Sequence, residues 1–117
     1  MLIVRYGDIV IVSRLLDPNG RNPKDHPAVV VTSLGEADLQ SLIEVAAITT
    51  LIPDPLPDDH ILLPWHLPRH PRTGLNKKGA VVGTWLTEIS QDRVLRYIGH
   101  VPGRQLLELV ALLDRLS

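Results

Sequence analysis

Proline and glycine punctuate the first hundred residues so closely that only short elements fit between them. All ten prolines and all eight glycines lie at or before residue 103. Between them fall apolar runs rich in β-branched residues: 9–12 behind Gly7-Asp8, 28–32 behind Pro27, and 42–50 with Val45, Ile48, Thr49 and Thr50. Branching at Cβ favours strands. The run Ile9-Val10-Ile11-Val12 does not alternate with polar residues, which predicts burial on both faces.

The connections carry their own chemistry. Asp17-Pro18-Asn19-Gly20 presets a turn, because proline fixes φ and the Asn-Gly pair tolerates positive φ. Residues 17–27 therefore read as a polar loop joining two strands. A short connection with room for one helical turn is expected at 33–38. Pro53, Pro55 and Pro57 alternate through the acidic stretch 52–59, which excludes a helix or a central strand. A short strand at 61–63 stops at Pro64. Residues 80–82 return to strand and run on through Trp85-Leu86 towards Ile89. Ser90 is placed to cap a helical turn at Gln91-Asp92, and 94–101 forms the last strand.

From Arg104 the pattern changes. Leu106, Leu109, Val110, Leu113 and Leu116 recur at the helical period, and Leu107 and Leu112 widen that apolar face. A face so wide predicts a second buried side, against the barrel or against a subunit. Parallel strands would need crossovers of about a dozen residues, usually helical. Five or six short strands with one helix at the end predict instead a mainly β fold. It is a small, curled, mostly antiparallel β-barrel with a C-terminal capping α-helix, in a single domain over 1–117.

Composition narrows the function. There is no cysteine, which excludes disulfides, thiolate metal sites and a cysteine nucleophile. Lys+Arg is 12 against 13 Asp+Glu, so a nucleic-acid site must be a local patch rather than a basic coat. No stretch approaches the roughly 20 apolar residues of a membrane span. The first eight residues lack the basic head and apolar run of a signal peptide, so a soluble cytoplasmic protein is expected.

The patch that stands out is 65–78. It carries His66, Arg69, His70, Arg72, Lys77 and Lys78 and no acid. Arg69, Arg72, Lys77 and Lys78 are candidates for tracking an RNA backbone, with Trp65 available for stacking. The same charges also suit a merely solvated loop. His60, His66 and His70 match no zinc spacing and have prolines between them. Asp54, Asp58 and Asp59 lack the calcium-loop pattern. No Gly-rich phosphate loop, Gly-x-Ser-x-Gly or His-Glu-x-x-His is present. No metal and no cofactor are expected.

The order of motifs along the chain is itself informative. Gly7-Asp8-Ile9-Val10 is followed by a polar loop and then by His26-Pro27-Ala28-Val29-Val30-Val31. Next come Val45-Ala46-Ala47-Ile48-Thr49-Thr50 and Gly74-Leu75-Asn76-Lys77-Lys78. Ile89-Ser90-Gln91-Asp92-Arg93-Val94 and Ile98-Gly99-His100-Val101 precede the leucine-rich helix. In this order, over nearly the whole chain, the sequence resembles MazF/PemK-like toxins. That resemblance implies an SH3-like barrel, usually a homodimer, and a metal-independent endoribonuclease acting on single-stranded RNA. It also implies a cognate antitoxin that covers the RNA groove, where the cations of 65–78 could meet an acidic antitoxin tail.

The family's active site typically has an arginine directly before the proline that opens the second strand, and His26 occupies that position here. The family's threonine or serine at the end of the third strand is matched by Thr49. RNA cleavage needs a base for the 2′-OH, an acid for the 5′-oxygen and positive charge near the phosphate. Imidazole suits the first two, since histidine's ordinary pKa is about 6.5. Arg21 and Lys24 in the same loop are candidates for the charge, and Thr49 and Thr50 for hydroxyl donation to phosphate. The alternative on the same barrel is a catalytically impaired module that binds RNA or protein, motivated by the missing arginine. A purely structural dimer is a third possibility.

Overall fold

The computed structural model describes residues 4–32 and 42–117. Among these residues the chain forms six strands: β1 (Asp8–Leu15), β2 (Lys24–Val30), β3 (Leu42–Thr49), β4 (His60–Leu63), β5 (Gly79–Ser90) and β6 (Val94–His100). A 3-10 turn (Gln91–Arg93) joins β5 to β6, and one helix, α1 (Gly103–Leu116), follows. The strands pair in the order β4-β5-β3-β2-β1-β6, every neighbour antiparallel. This is the antiparallel β fold with a capping helix that the spacing of prolines demands. The helical turn expected at 33–38 lies outside the described residues.

The central strands bury both faces. Ile9, Val29, Ala46 and Ile48 point to one side, where Ile61, Leu63, Leu109 and Leu112 complete a cluster. Val10, Val12, Ala28, Val30, Val45 and Ala47 point to the other, against Leu15, Ile43, Ile89 and Val94. That explains why 9–12 has no polar alternation: Ile9 enters one cluster, Val10 and Val12 the other, and Ile11 is half-buried. Helix α1 buries Leu109 and Leu112 on the sheet, while Leu107, Val110 and Leu116 remain exposed.

Three local details depart from the sequence reading. β2 begins at Lys24 rather than at residue 28, because β1 extends to Leu15 and offers a ladder that far (Val12 opposite His26, Leu15 opposite Lys24). β3 pairs with β2 only over Ala28–Val30, so Pro27 has no neighbour on that side and its missing N–H breaks no ladder there. Ser90 precedes the 3-10 turn without capping its backbone. Its hydroxyl donates instead to the Asp92 carboxylate, a charged and therefore stronger acceptor.

Two irregularities shape the sheet. In β1 three steps from Val12 to Leu15 oppose two steps on β2, and Arg14 takes φ 54°. The Arg93 guanidinium spans this bulge, donating to the carbonyls of Ser13 (2.8 Å) and Arg14 (2.9 Å). In β5 the ladder with β3 jumps from Leu86 opposite Ala46 to Val81 opposite Ile48, five steps against two. The three extra residues lie within 82–85. Gly83 leaves room for Leu112 there, since a Cβ would meet Leu112 Cδ2 at 2.7 Å and that side chain would have to shift.

Arg93→Ala removes the guanidinium that holds the Ser13 and Arg14 carbonyls of the β1 bulge, leaving the long contact from the Arg14 N–H to the Asp25 carboxylate (3.3 Å). We expect a loss of about 1.5–3 kcal/mol, the range for hydrogen bonds to a charged group, read as a lower urea midpoint. A change within a few tenths of a kcal/mol would contradict this account of the bulge.

Candidate active site

The two bulges flank an open groove of about 570 Å³. β2 contributes Lys24 and His26, the end of β3 contributes Thr49 with Thr50 and Leu51 beyond it, and the 82–85 segment contributes Val82, Thr84 and Trp85. Asp17 and Asn22 enter from the loop after β1, and Asp59 and His60 from the start of β4. Bulges re-aim side chains that a regular ladder would turn away. Here residues of β2 and of the β5 bulge line the same groove.

His26 is held from two sides. Its Nδ1 donates to the Pro27 carbonyl at 2.9 Å, and its ring lies 5.1 Å from that of Trp85 at a tilt of 57°. Trp85 is tied down in turn, its Nε1–H donating to the Leu16 carbonyl at 3.1 Å. With Nδ1 carrying the hydrogen, the neutral ring keeps its lone pair on Nε2. Thr49 Oγ accepts the Leu51 N–H at 3.1 Å, while its own hydroxyl sits a long 3.4 Å from the Leu51 carbonyl. The oxygen is fixed and its proton is free to be re-aimed.

Asp17 organises the loop after β1. It accepts the backbone N–H groups of Asn19 and Arg21 and the side-chain amide of Asn22, each at 2.9 Å. The Arg21 N–H foremost, then the Asn22 amide, hold its carboxyl below the ordinary carboxylate value. At the other wall Asp59 accepts the Thr84 hydroxyl on one oxygen and the His60 Nδ1–H on the other, the latter at 2.7 Å. The Thr84 hydroxyl does most to lower its pKa, against the opposing effect of burial, and the His60 ring adds to it.

A depressed carboxylate stabilises the fold above its unfolded pKa of about 4 and loses that contribution as pH falls through the lower folded value. We therefore expect stability to fall on acidification below about pH 4, and to fall less steeply in Asp59→Asn. Identical acid profiles for the two proteins would contradict the role given to Thr84 and His60.

The groove thus gathers His26, Thr49, Lys24 and Thr50. Arg21 lies on the exposed outer part of the loop and does not line it. Arg69, Arg72, Lys77 and Lys78 are also exposed and do not line it; they sit on the loop at the far end of β4, about 10 Å along the strand from His60. That loop is built rather than slack. His70 Nδ1 accepts the N–H groups of Arg72 (3.1 Å) and Thr73 (3.2 Å), and the His100 N–H donates to the Arg72 carbonyl at 2.7 Å. Gly99 makes room for it, since a Cβ there would fall 2.3 Å from the Thr73 carbonyl. Among the described residues no group of three or more His, Asp or Glu side chains is arranged to hold a metal ion. No helix among them is long and apolar enough to cross a membrane.

Sequence reasoning considered Asp59 and His60 only as metal ligands, and it missed Thr84 and Trp85 as groove residues. The adjacency of a carboxylate and an imidazole at the start of a strand was the available signal. The partnership with Thr84 depends on β4 pairing with β5, which no local pattern announces.

The chain is thus an antiparallel, barrel-like sheet capped by a helix, with a polar groove bearing histidine and threonine. The model of the PemK-like, MazF-like toxins of type II toxin-antitoxin systems matches residues 5–116, and the chain belongs to that family. The fold is similar to MazF (Form-I) from Deinococcus radiodurans, with TM-score 0.76, 16% identity, and coverage of 99% of this chain and 97% of that one. It is also similar to the MazE-MazF complex (Form-II) from the same organism, with TM-score 0.73, 18% identity and coverage of 99% and 96%. A mycobacterial endoribonuclease in complex with its cognate antitoxin matches at TM-score 0.72, 12% identity and coverage of 97% and 93%. No curated protein matches the chain in sequence.

Proposed function

We propose that this toxin-family chain is a metal-independent endoribonuclease that cleaves single-stranded RNA in the groove between the two bulges. The observation that carries the reading is the convergence of His26 and Thr49, from different strands, on one open groove. In the reaction the 2′-oxygen attacks the adjacent phosphorus, its proton passing to His26. The bond from phosphorus to the 5′-oxygen breaks, leaving a cyclic phosphate and a 5′-OH end. Thr49 donates to the phosphate oxygen as charge develops there, and Lys24 supplies local positive charge. The strand continues along the exposed cations of the neighbouring loop, Arg69, Arg72, Lys77 and Lys78, and Arg21 meets it at the opposite rim.

End-group analysis tests this chemistry. Products should carry a 5′-OH, and a single 2′-deoxynucleotide at a mapped cleavage position should block cutting there. A 5′-phosphate product, or normal cutting at the deoxy position, would overturn it. Thr49→Ala should lower kcat by about 10²-fold, as loss of a preorganised oxyanion donor does, and Thr49→Ser should keep most of the rate. Equal loss in both variants would contradict a hydroxyl role.

One observation favours a second reading, a module that binds without cutting. Lys24 shares the groove lining with two acids, Asp17 and Asp59, and no guanidinium is among the lining residues. Salt-sensitive retardation of RNA that stays intact would support it. For partners, the MazE-MazF complex and the antitoxin-bound endoribonuclease support a cognate antitoxin for this chain. The exposed Leu107, Val110 and Leu116 of α1 support a homodimer, for which sedimentation at micromolar concentration is the check. A cytoplasmic setting fits an RNA substrate.

A further inference from the structure

We propose that His60 is the general acid of this groove, protonating the departing 5′-oxygen while His26 accepts the 2′-hydroxyl proton, with Asp59 and Thr84 as its positioning residues. The inference rests on reading the groove as a ribonuclease site and assigns its second proton-transfer group.

The geometry distinguishes the two rings. Asp59 can only accept, so the 2.7 Å contact fixes the hydrogen of His60 on Nδ1. Its Nε2 is then the nitrogen left to work with, and nothing among the described residues hydrogen-bonds it. The His60 side chain is 12% exposed, yet it lines the groove, which is how a ring is held while one edge stays reachable. Asp59 does not drift, because its second oxygen accepts the Thr84 hydroxyl and its backbone carbonyl accepts the Gly83 N–H at 2.7 Å. The relay Thr84, Asp59, His60 thus joins the β5 bulge to the start of β4 and ends at the groove.

His26 has a carbonyl, not a carboxylate, on its Nδ1. A neutral ring so fixed offers the Nε2 lone pair and is suited to accept a proton. His60 faces an ionised carboxylate that offsets the charge of a doubly protonated ring, and it is suited to start by giving one. The step balances. The 2′-OH proton goes to His26 Nε2, the 2′-oxygen bonds to phosphorus, the bond to the 5′-oxygen breaks, and the proton on His60 Nε2 goes to that oxygen. Exchange with water then restores both rings. The titratable groups lining this groove are Asp17, Lys24, His26, Asp59 and His60.

The test compares two substrates, one with the natural 5′-oxygen at the cleaved linkage and one with sulfur there, whose thiolate leaves without a proton. His60→Gln should lose about 10²-fold or more on the natural linkage, the contribution of a general acid. It should approach the parent rate on the sulfur linkage and lose the basic limb of the pH-rate profile. His26→Ala should stay impaired on both. Asp59→Asn, a second variant that keeps the shape of the relay, should show a smaller loss on the natural linkage with the same selective rescue. Equal loss on both linkages would make His60 structural and overturn the assignment, as would an unimpaired His60→Gln. A parent protein that cuts neither substrate would overturn the ribonuclease reading itself, and the assignment with it.

Discussion

His26→Ala is expected to lower kcat/KM for single-stranded RNA by about 10²- to 10⁴-fold, the contribution of a positioned general base. That is about 3–5 kcal/mol of transition-state stabilisation. The loss should fall on catalysis rather than on folding. His26 is only half-buried, its pairing with Val12 is a backbone matter, and the ring's described contacts are one carbonyl and the tilted ring of Trp85. Alanine at this position keeps the β1–β2 ladder intact. Thermal unfolding of the variant should therefore stay within a few degrees of the parent. Full activity in His26→Ala would remove the base from the mechanism while leaving the fold untouched.

The second large effect is on stability. Leu112→Ala should cost about 3–4 kcal/mol, within the range for deleting a buried leucine side chain. Leu112 is buried on the sheet beside Leu109, and its side chain occupies the space that Gly83 leaves empty. A cavity there would remove the backing from the 82–85 segment that carries Thr84 and Trp85 to the groove. Denaturant unfolding should show a lower midpoint with little change in slope, and activity should fall even at temperatures where the variant is folded. A cost below 1 kcal/mol, with full activity, would show that the helix does not brace this segment.

Much of the frame is legible in the sequence because its signals are local. Three alternating prolines can only be an extended loop, and 9–12 can only be a strand with two buried faces. The leucines after Arg104 read as a helix; the second buried side that their width predicts is not covered within the chain, where Leu107, Val110 and Leu116 stay exposed. His26 and Thr49 are legible as a pair through resemblance, not through spacing, since 23 positions separate them. What stayed hidden is non-local. The β5 bulge arises from a register jump against β3, so nothing within 79–90 marks Thr84 and Trp85 as groove residues. His60 lay next to Asp59 in plain view. Its meaning depends on a hydroxyl 24 residues further on, brought close only by pairing with β5. The basic run 65–78 shows the opposite case: conspicuous as a sequence, it folds into a loop docked on Gly99 and stands beside the groove rather than in it.

The most direct measurement is incubation of the purified protein with long single-stranded RNA in EDTA, with His26→Arg run alongside. The account predicts that the parent itself cuts, giving discrete fragments with 5′-OH ends in the absence of any divalent ion. Intact RNA from the parent, with cutting restored by His26→Arg, would contradict catalysis by histidine and identify the natural protein as a binder. Intact RNA from both would contradict a ribonuclease groove altogether.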